Sequence, residues 1–127
     1  MLIVKPNWLD LILSGKKRLE IRRGRSNKVA RRIGLSASGS STISATALFM
    51  DCHGPLSPSQ WAALRPFHLV EGDDMPYGDQ TCAWELDRVQ VLAVPLPFCR
   101  RRGPVVWQTV VVPNSICSPC PDFRRGA

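Results

Sequence analysis

The chain has 127 residues, of which 44% are hydrophobic and 21% charged, and its formal net charge is +7. This length fits one compact domain, and the composition lies far from that of disordered chains. No apolar run approaches the ~18 residues that a membrane helix needs, so no membrane-spanning segment is expected.

The start of the chain favours a cytoplasmic location. Residues 1–6 hold no cationic region ahead of an apolar stretch, so they do not resemble a signal peptide. In a cytoplasmic protein the five cysteines are expected to be thiols, because disulfides persist mainly in oxidising compartments.

The first 22 residues predict a strand, a short helix and a second strand. Residues 1–4 form a short apolar run typical of a buried strand. Residues 7–14, with Asn7 as cap and Gly15 as stop, carry apolar side chains at helical spacing. Residues 18–22 alternate strictly, which predicts a strand with aliphatic side chains on one face and charged side chains on the other.

Beyond residue 22 the sequence predicts mostly strands. Stretches with alternating or apolar character lie at residues 29–37, 43–50, 81–86, 89–94 and 105–112. A capping box beginning at Ser57, with Pro58 at the first helical position, predicts a helix over residues 58–65. Residues 71–79 form a loop with four acidic residues, which is interpreted as a solvated turn.

Short helices among many strands favour an α+β fold with a mixed, barrel-like sheet rather than a doubly wound one. The predicted domain covers residues 1–112. Residues 113–127 combine Pro, Ser and Cys without periodicity, and we expect this tail to be loosely ordered.

Positive charge is concentrated in one segment. Residues 16–32 hold nine basic residues and one acidic residue, whereas the rest of the chain holds eight basic and nine acidic residues. A cationic segment on a near-neutral domain favours a polyanionic partner, and RNA or another nucleic acid is the partner that we expect. The alternative is a solvated face that serves solubility.

The most informative motif is Gly-x-Lys-x-x-Glu-x-Arg, formed by Gly15, Lys17, Glu20 and Arg22. A carboxylate beside a lysine stabilises the ammonium, so the pair suits phosphate binding or proton transfer. The alternative is an ordinary surface ion-pair ladder, which contributes about 0–1 kcal/mol.

This motif, preceded by Lys5-Pro6-x-Trp8, resembles the signature of the ASCH (activating signal cointegrator homology) domain family of the PUA-like superfamily. The resemblance covers roughly residues 1–110. It implies a small mixed β-barrel with short peripheral helices, and a basic cleft beside the barrel that holds RNA or a nucleotide.

The resemblance also implies roles for individual residues. Lys17, Glu20 and Arg22 are expected to line the cleft, and Trp8 either packs the helix on the barrel or stacks on a base. The residues expected to contact phosphates nearby are Lys16, Arg23, Arg25 and Lys28.

Some ASCH proteins are enzymes, so catalysis stays open. In a metal-independent ribonuclease, Lys17 and Glu20 would act as acid and base. An acetylcytidine amidohydrolase branch is similar but uses a threonine where this chain has Glu20, and no histidine is near the motif in the sequence. A third alternative is a protein-interaction adaptor whose basic face docks an acidic protein.

No cofactor or metal is predicted. Cys52, His53, Cys117 and Cys120 could be combined into a zinc site, but the second half of the usual ligand pattern is missing and adjacent Cys-His ligands are awkward. The sequence leaves the oligomeric state undetermined.

Overall fold

The computed structural model describes residues 1–98. The strands in this part of the chain are β1 (Leu2–Val4), β2 (Leu19–Arg23), β3 (Arg32–Ala37), β4 (Thr42–His53) and β5 (Thr81–Pro97). The helices are α1 (Pro6–Leu13), α2 (Pro58–Ala63) and α3 (Arg65–His68), and a 3-10 turn spans Gly78–Gln80.

The five strands form one curled, mixed sheet, a half-barrel in the order β1-β3-β4-β5-β2. Strand β1 pairs in parallel with β3, and the other neighbours are antiparallel. The short helices lie on the sheet, so the predicted α+β class with a mixed, barrel-like sheet is confirmed.

Helix α1 begins one residue earlier than predicted. Pro6 occupies its first turn and Lys5 the N-cap position, with no side-chain cap, so the prediction that Asn7 caps the helix is wrong. Proline suits a first turn because it lacks the N–H that would be unpaired there. Gly15 follows the helix with φ of +83°, which glycine adopts without strain.

The two strands predicted at residues 81–86 and 89–94 are one strand, β5. Arg88 adopts a φ of +50° within it, and the pairing between β4 and β5 shifts register in this region. An irregularity of this kind bends a strand without ending it, which explains why the sequence pattern is interrupted there.

The predicted helix over residues 58–65 divides into α2 and α3. Its capping box is present, since Gln60 N–H donates to the Ser57 hydroxyl and Ser57 N–H donates to the Gln60 side chain. After α3 the chain turns at Leu69, whose φ of +62° is unusual for a residue with a side chain.

Within residues 1–98, two apolar clusters hold the fold together. The larger packs α1 against β1, β3, β4 and β5 and includes Phe49 and Trp84, whose ring centroids are 5.5 Å apart. The smaller surrounds Trp61 of α2 and includes Leu19 and Ile21 of β2. Strand β2 therefore has an apolar face toward α2, and its other face is free to carry polar groups.

Several predictions fall outside residues 1–98: the strand at 105–112, the domain end at residue 112, the tail 113–127, and Cys117 with Cys120. Cys52 and Cys82, which the structure describes, are buried thiols. Within the described part of the chain, no helix is long and apolar enough to cross a membrane.

Candidate functional site

A cleft of about 380 Å³ lies between α1, the polar face of β2 and the segment that follows α3. We call it the Lys17 cleft. The side chains that line it are Ile3, Lys5, Trp8, Lys17, Glu20, Ile21, Arg22, Ser38, Val70, Pro76 and Tyr77. The charged motif residues Lys17, Glu20 and Arg22 thus lie together at one site. Glu20 and Arg22 share a face of β2 because alternate residues of a strand point to the same side.

Lys17 is the most deeply placed of these charged residues, with 2% of its surface exposed. Its ammonium donates a hydrogen bond to the His68 carbonyl and lies 4.5 Å from the centre of the Trp8 ring. Glu20 Oε1 is 4.0 Å from Lys17 Nζ. Burial lowers the pKa of Lys17 from 10.5 to about 8, a change that Glu20 opposes and Arg22 reinforces.

Glu20 is also buried, with 5% exposure, and Arg22 holds it in place. Arg22 Nε donates to Glu20 Oε2 over 3.0 Å, and Arg22 Nη2 lies 2.8 Å from the same oxygen. Nη2 also donates to the Ile3 carbonyl at 2.5 Å, which ties the arginine to β1. The three groups form a linked array of cation, anion and cation, and its net charge is +1 while Lys17 is protonated.

His68 supports the array, although no histidine is near the motif in the sequence. Its imidazole is fully buried and stacks on Trp61 with ring centroids 4.0 Å apart. Nδ1 accepts the Val70 N–H at 2.9 Å, so Nε2 is the protonated nitrogen and donates to the Trp61 carbonyl, also at 2.9 Å. Burial lowers the pKa of His68, which favours this neutral form.

These bonds fix the left-handed turn at Leu69, and that turn directs the His68 carbonyl toward Lys17. The imidazole itself has both nitrogens engaged with the backbone. His68 therefore positions Lys17 through its carbonyl and is not arranged to exchange protons in the cleft.

The far wall of the cleft comes from residues 70–77, which overlap the loop 71–79 that is predicted to be a solvated turn. Val70, Pro76 and Tyr77 line the cleft, and the Tyr77 side chain is 41% exposed. The acidic residues of this loop do not line the cleft. The sequence contains no periodic signal for this wall, because irregular loops carry none.

Trp8 is the remaining residue predicted to lie at the cleft. The Lys17 ammonium covers one face of its ring. Trp8 is half-buried, lines the cleft and packs against the larger apolar cluster. The packing role predicted for this residue is therefore seen in the structure, and the alternative role of stacking on a base stays a prediction.

The residues predicted to contact phosphates do not line the cleft. Arg23 points to the opposite face of β2 and donates to the Gln80 side chain at 2.8 Å, and Arg25 donates to the Gly54 carbonyl at 2.6 Å. Lys16 is exposed beyond α1 and Lys28 is half-buried in the loop before β3. The alternation of residues 18–22 also predicts that Arg18 lies on the same face as Glu20. In the structure, Arg18 Nη2 instead lies 3.5 Å from Asp87 Oδ2.

A second groove of about 450 Å³ lies between β2, the ends of β4 and β5, and helices α2 and α3. Its floor is apolar, with Leu19 and Leu56, and at its rim His53 Nε2 lies 2.8 Å from Glu85 Oε1.

Among residues 1–98, no group of three or more His, Cys, Asp or Glu side chains is placed to hold a metal ion.

Comparison with solved structures finds the same fold in an ASCH protein from Zymomonas mobilis. A serine-to-alanine variant of that protein matches with a TM-score of 0.64 and 17% identity, covering 91% of this chain and 87% of that chain. A tyrosine-to-phenylalanine variant matches with a TM-score of 0.61 and 19% identity, covering 76% of this chain and 73% of that chain.

No family model and no curated protein matches the chain. The structural likeness therefore establishes the fold: this chain has the fold of an ASCH domain. The resemblance predicted from Gly15, Lys17, Glu20 and Arg22 is confirmed at that level.

Proposed function

We propose that this chain is an ASCH-type domain that binds single-stranded RNA and receives one nucleotide in the Lys17 cleft. The observation that carries the proposal is an array of three charged groups at the cleft, in which Lys17 and Glu20 are buried and Arg22 is half-buried. Burying ions costs several kcal/mol each, and apolar residues of similar volume often stabilise a fold equally well. Because the array contributes little to stability, we infer that it serves to bind a ligand. Such a ligand would present polar groups that pair with the three charged side chains.

The size and charge of the cleft support a nucleotide. About 380 Å³ lies in the range of small-molecule sites. The floor has a net positive charge, and Lys5 adds a further cation at the edge. Arg23, Arg25 and Lys28 lie on neighbouring surfaces, where they would attract the phosphates of a longer strand without entering the cleft.

The experiment compares pairs of variants that remove equal charge. Lys5 lines the cleft and Lys16 does not, and both side chains are exposed, so neither Lys5→Ala nor Lys16→Ala should disturb the fold. Fluorescence anisotropy of a short labelled RNA should show a larger loss for Lys5→Ala than for Lys16→Ala. Affinity should also fall steeply between about 50 and about 200 mM salt.

The buried residues give the stronger test. Lys17→Ala and Arg22→Ala should weaken RNA binding more than Lys28→Ala, because interactions inside a desolvated cleft are stronger than those on the surrounding surface. Circular dichroism checks that each variant is folded. Equal losses at cleft and rim positions would show unspecific surface attraction and contradict the proposal.

A second candidate function is hydrolysis of the bound RNA or of a modified nucleoside, and the pKa of Lys17 favours it. A lysine with a pKa of about 8 exchanges protons readily near neutral pH, and Glu20 lies 4.0 Å away as its partner. Slow cleavage of the labelled RNA in the presence of a chelator, lost in Glu20→Gln while binding persists, would establish this activity. An intact RNA after prolonged incubation would exclude it for that substrate.

A further inference from the structure

Lys17, Glu20 and Arg22 each have a hydrogen-bonding atom without a partner among the described residues, and the acceptor of Glu20 lies between two donors. Arg22 uses Nε and Nη2 on Glu20 and Ile3, and within the described residues its Nη1 donates to nothing. Glu20 uses Oε2 for Arg22, and no described group donates to its Oε1 within hydrogen-bond distance, since Lys17 Nζ is 4.0 Å away.

Lys17 completes the series. Its ammonium has three N–H groups, of which one is donated to the His68 carbonyl and another side of the ammonium faces the Trp8 ring. One N–H of the ammonium therefore has no acceptor within hydrogen-bond distance among the described residues, and Lys17 lines the cleft. The cleft thus offers a donor from Lys17, an acceptor from Glu20 and a donor from Arg22.

We infer that the Lys17 cleft selects uracil among the RNA bases, by pairing with the imide edge formed by its O4, N3–H and O2 groups. The inference rests on the proposed function, because it names the base that the same cleft would hold. Uracil presents an acceptor, a donor and an acceptor in that order, which is the complement of the series Lys17, Glu20 and Arg22. Each group at the floor of the cleft would then be satisfied.

The other three bases leave a mismatch at this floor. The central ring nitrogen of the pairing edge, N3 in cytosine and N1 in adenine, is an acceptor and would face the Glu20 carboxylate. Guanine offers N1–H to Glu20, but its amino group would then face one of the two cationic donors. Burying an unpaired polar group is more costly than the gain from one hydrogen bond, so such mismatches discriminate strongly.

The walls of the cleft suit a planar ring. Tyr77 lines the cleft and is 41% exposed, and Pro76 and Val70 add apolar surface to the same wall. Aromatic side chains stack on bases of any sequence, so Tyr77 supplies affinity while the floor supplies selectivity. Because the Lys17 ammonium covers one face of Trp8, Tyr77 is the better stacking surface.

The test uses the unmodified chain and labelled oligonucleotides of uridine, cytidine or adenosine, measured by fluorescence anisotropy. Oligouridine should bind about tenfold or more tightly than oligocytidine. Methylation at N3 removes the central donor and should abolish the preference, whereas methylation at C5 leaves the imide edge unchanged and should preserve it. Competition by free uridine separates a nucleoside site from one that requires RNA.

A protein variant gives an independent readout. Glu20→Gln can turn its amide donor toward N3 of cytosine, so the ratio of uridine to cytidine affinity should fall even if total binding stays similar. Equal binding of uridine and cytidine, or equal losses from N3 and C5 methylation, would overturn the selectivity while RNA binding by the cleft stands. Absence of binding to every oligonucleotide at low salt would overturn the proposed function itself.

Discussion

Lys17 is an ionisable group whose burial should be visible in the pH dependence of stability. Its side chain is 2% exposed and its pKa in the folded chain is about 8, compared with 10.5 for an unburied lysine. The difference corresponds to about 3 kcal/mol, at ~1.4 kcal/mol for each tenfold change in the proton equilibrium. This is the free energy that the folded state loses by keeping the ammonium buried at neutral pH.

The sign follows from the protons bound in each state. Between about pH 8 and pH 10.5 the unfolded chain holds a proton on Lys17 that the folded chain has released. The free energy of unfolding therefore gains a positive contribution as pH rises through this interval, up to about 3 kcal/mol in total. Below pH 8 the contribution is constant, because both states are protonated.

The variant Lys17→Met isolates this contribution. It keeps a side chain of similar length and removes the titration, so the difference in unfolding free energy between wild type and Lys17→Met should change across the interval. Urea denaturation at several pH values measures it, with Lys16→Met as the exposed control. The chain has four lysines, so NMR of ¹³Cε-labelled lysine can follow Lys17 directly.

A Lys17 resonance that titrates near pH 10.5, the ordinary value for a lysine, would refute the lowered pKa of Lys17. A difference between wild type and Lys17→Met that is flat with pH would refute it as well. Either result would mean that water reaches the ammonium freely, and the cleft would lose its buried cation.

Three further predictions concern single side chains. His68→Phe keeps the ring on Trp61 but leaves the Trp61 carbonyl and the Val70 N–H without their bonds, so urea denaturation should show a loss of about 2 kcal/mol or more and weaker RNA binding. Because burial lowers the pKa of His68, wild type should lose stability relative to His68→Asn as pH falls below about 6.5. Ser57→Ala removes the α2 cap and should cost about 1 kcal/mol of stability, with RNA affinity unchanged. An unchanged stability in His68→Phe, no relative loss at acid pH, or reduced RNA affinity in Ser57→Ala would contradict the respective assignment.

The sequence predicts the local parts of the site well. Strict alternation over residues 18–22 places Glu20 and Arg22 on one face of β2, and Gly15 ends α1 so that Lys17 reaches the same face. These features depend on neighbours along the chain, where backbone geometry alone decides the direction of a side chain.

The remainder of the site depends on distant segments. The hydrogen bond from Lys17 to His68 joins residues 51 positions apart, and the wall containing Tyr77 is a loop without periodicity. No local pattern encodes such contacts. His68 is therefore missed as a neighbour of the motif, although it is buried beside it.

The basic segment is divided between different surfaces in the structure. Of its nine basic residues between 16 and 32, Arg23 and Arg25 bond to Gln80 and Gly54 and do not line the cleft. For Arg23 the alternation of β2 contains the answer, because adjacent residues of a strand point to opposite faces.

NMR mapping of bound RNA tests directly whether the RNA enters the Lys17 cleft. A titration with short single-stranded RNA should shift the Trp8 indole N–H and the Arg22 Nε–H, both at the Lys17 cleft, and leave the buried Trp61 indole, which donates to Gly72, nearly unchanged. Shifts confined to Arg23, Arg25 and Lys28, with Trp8 and Arg22 unmoved, would place the RNA on the exposed basic surface and contradict the account.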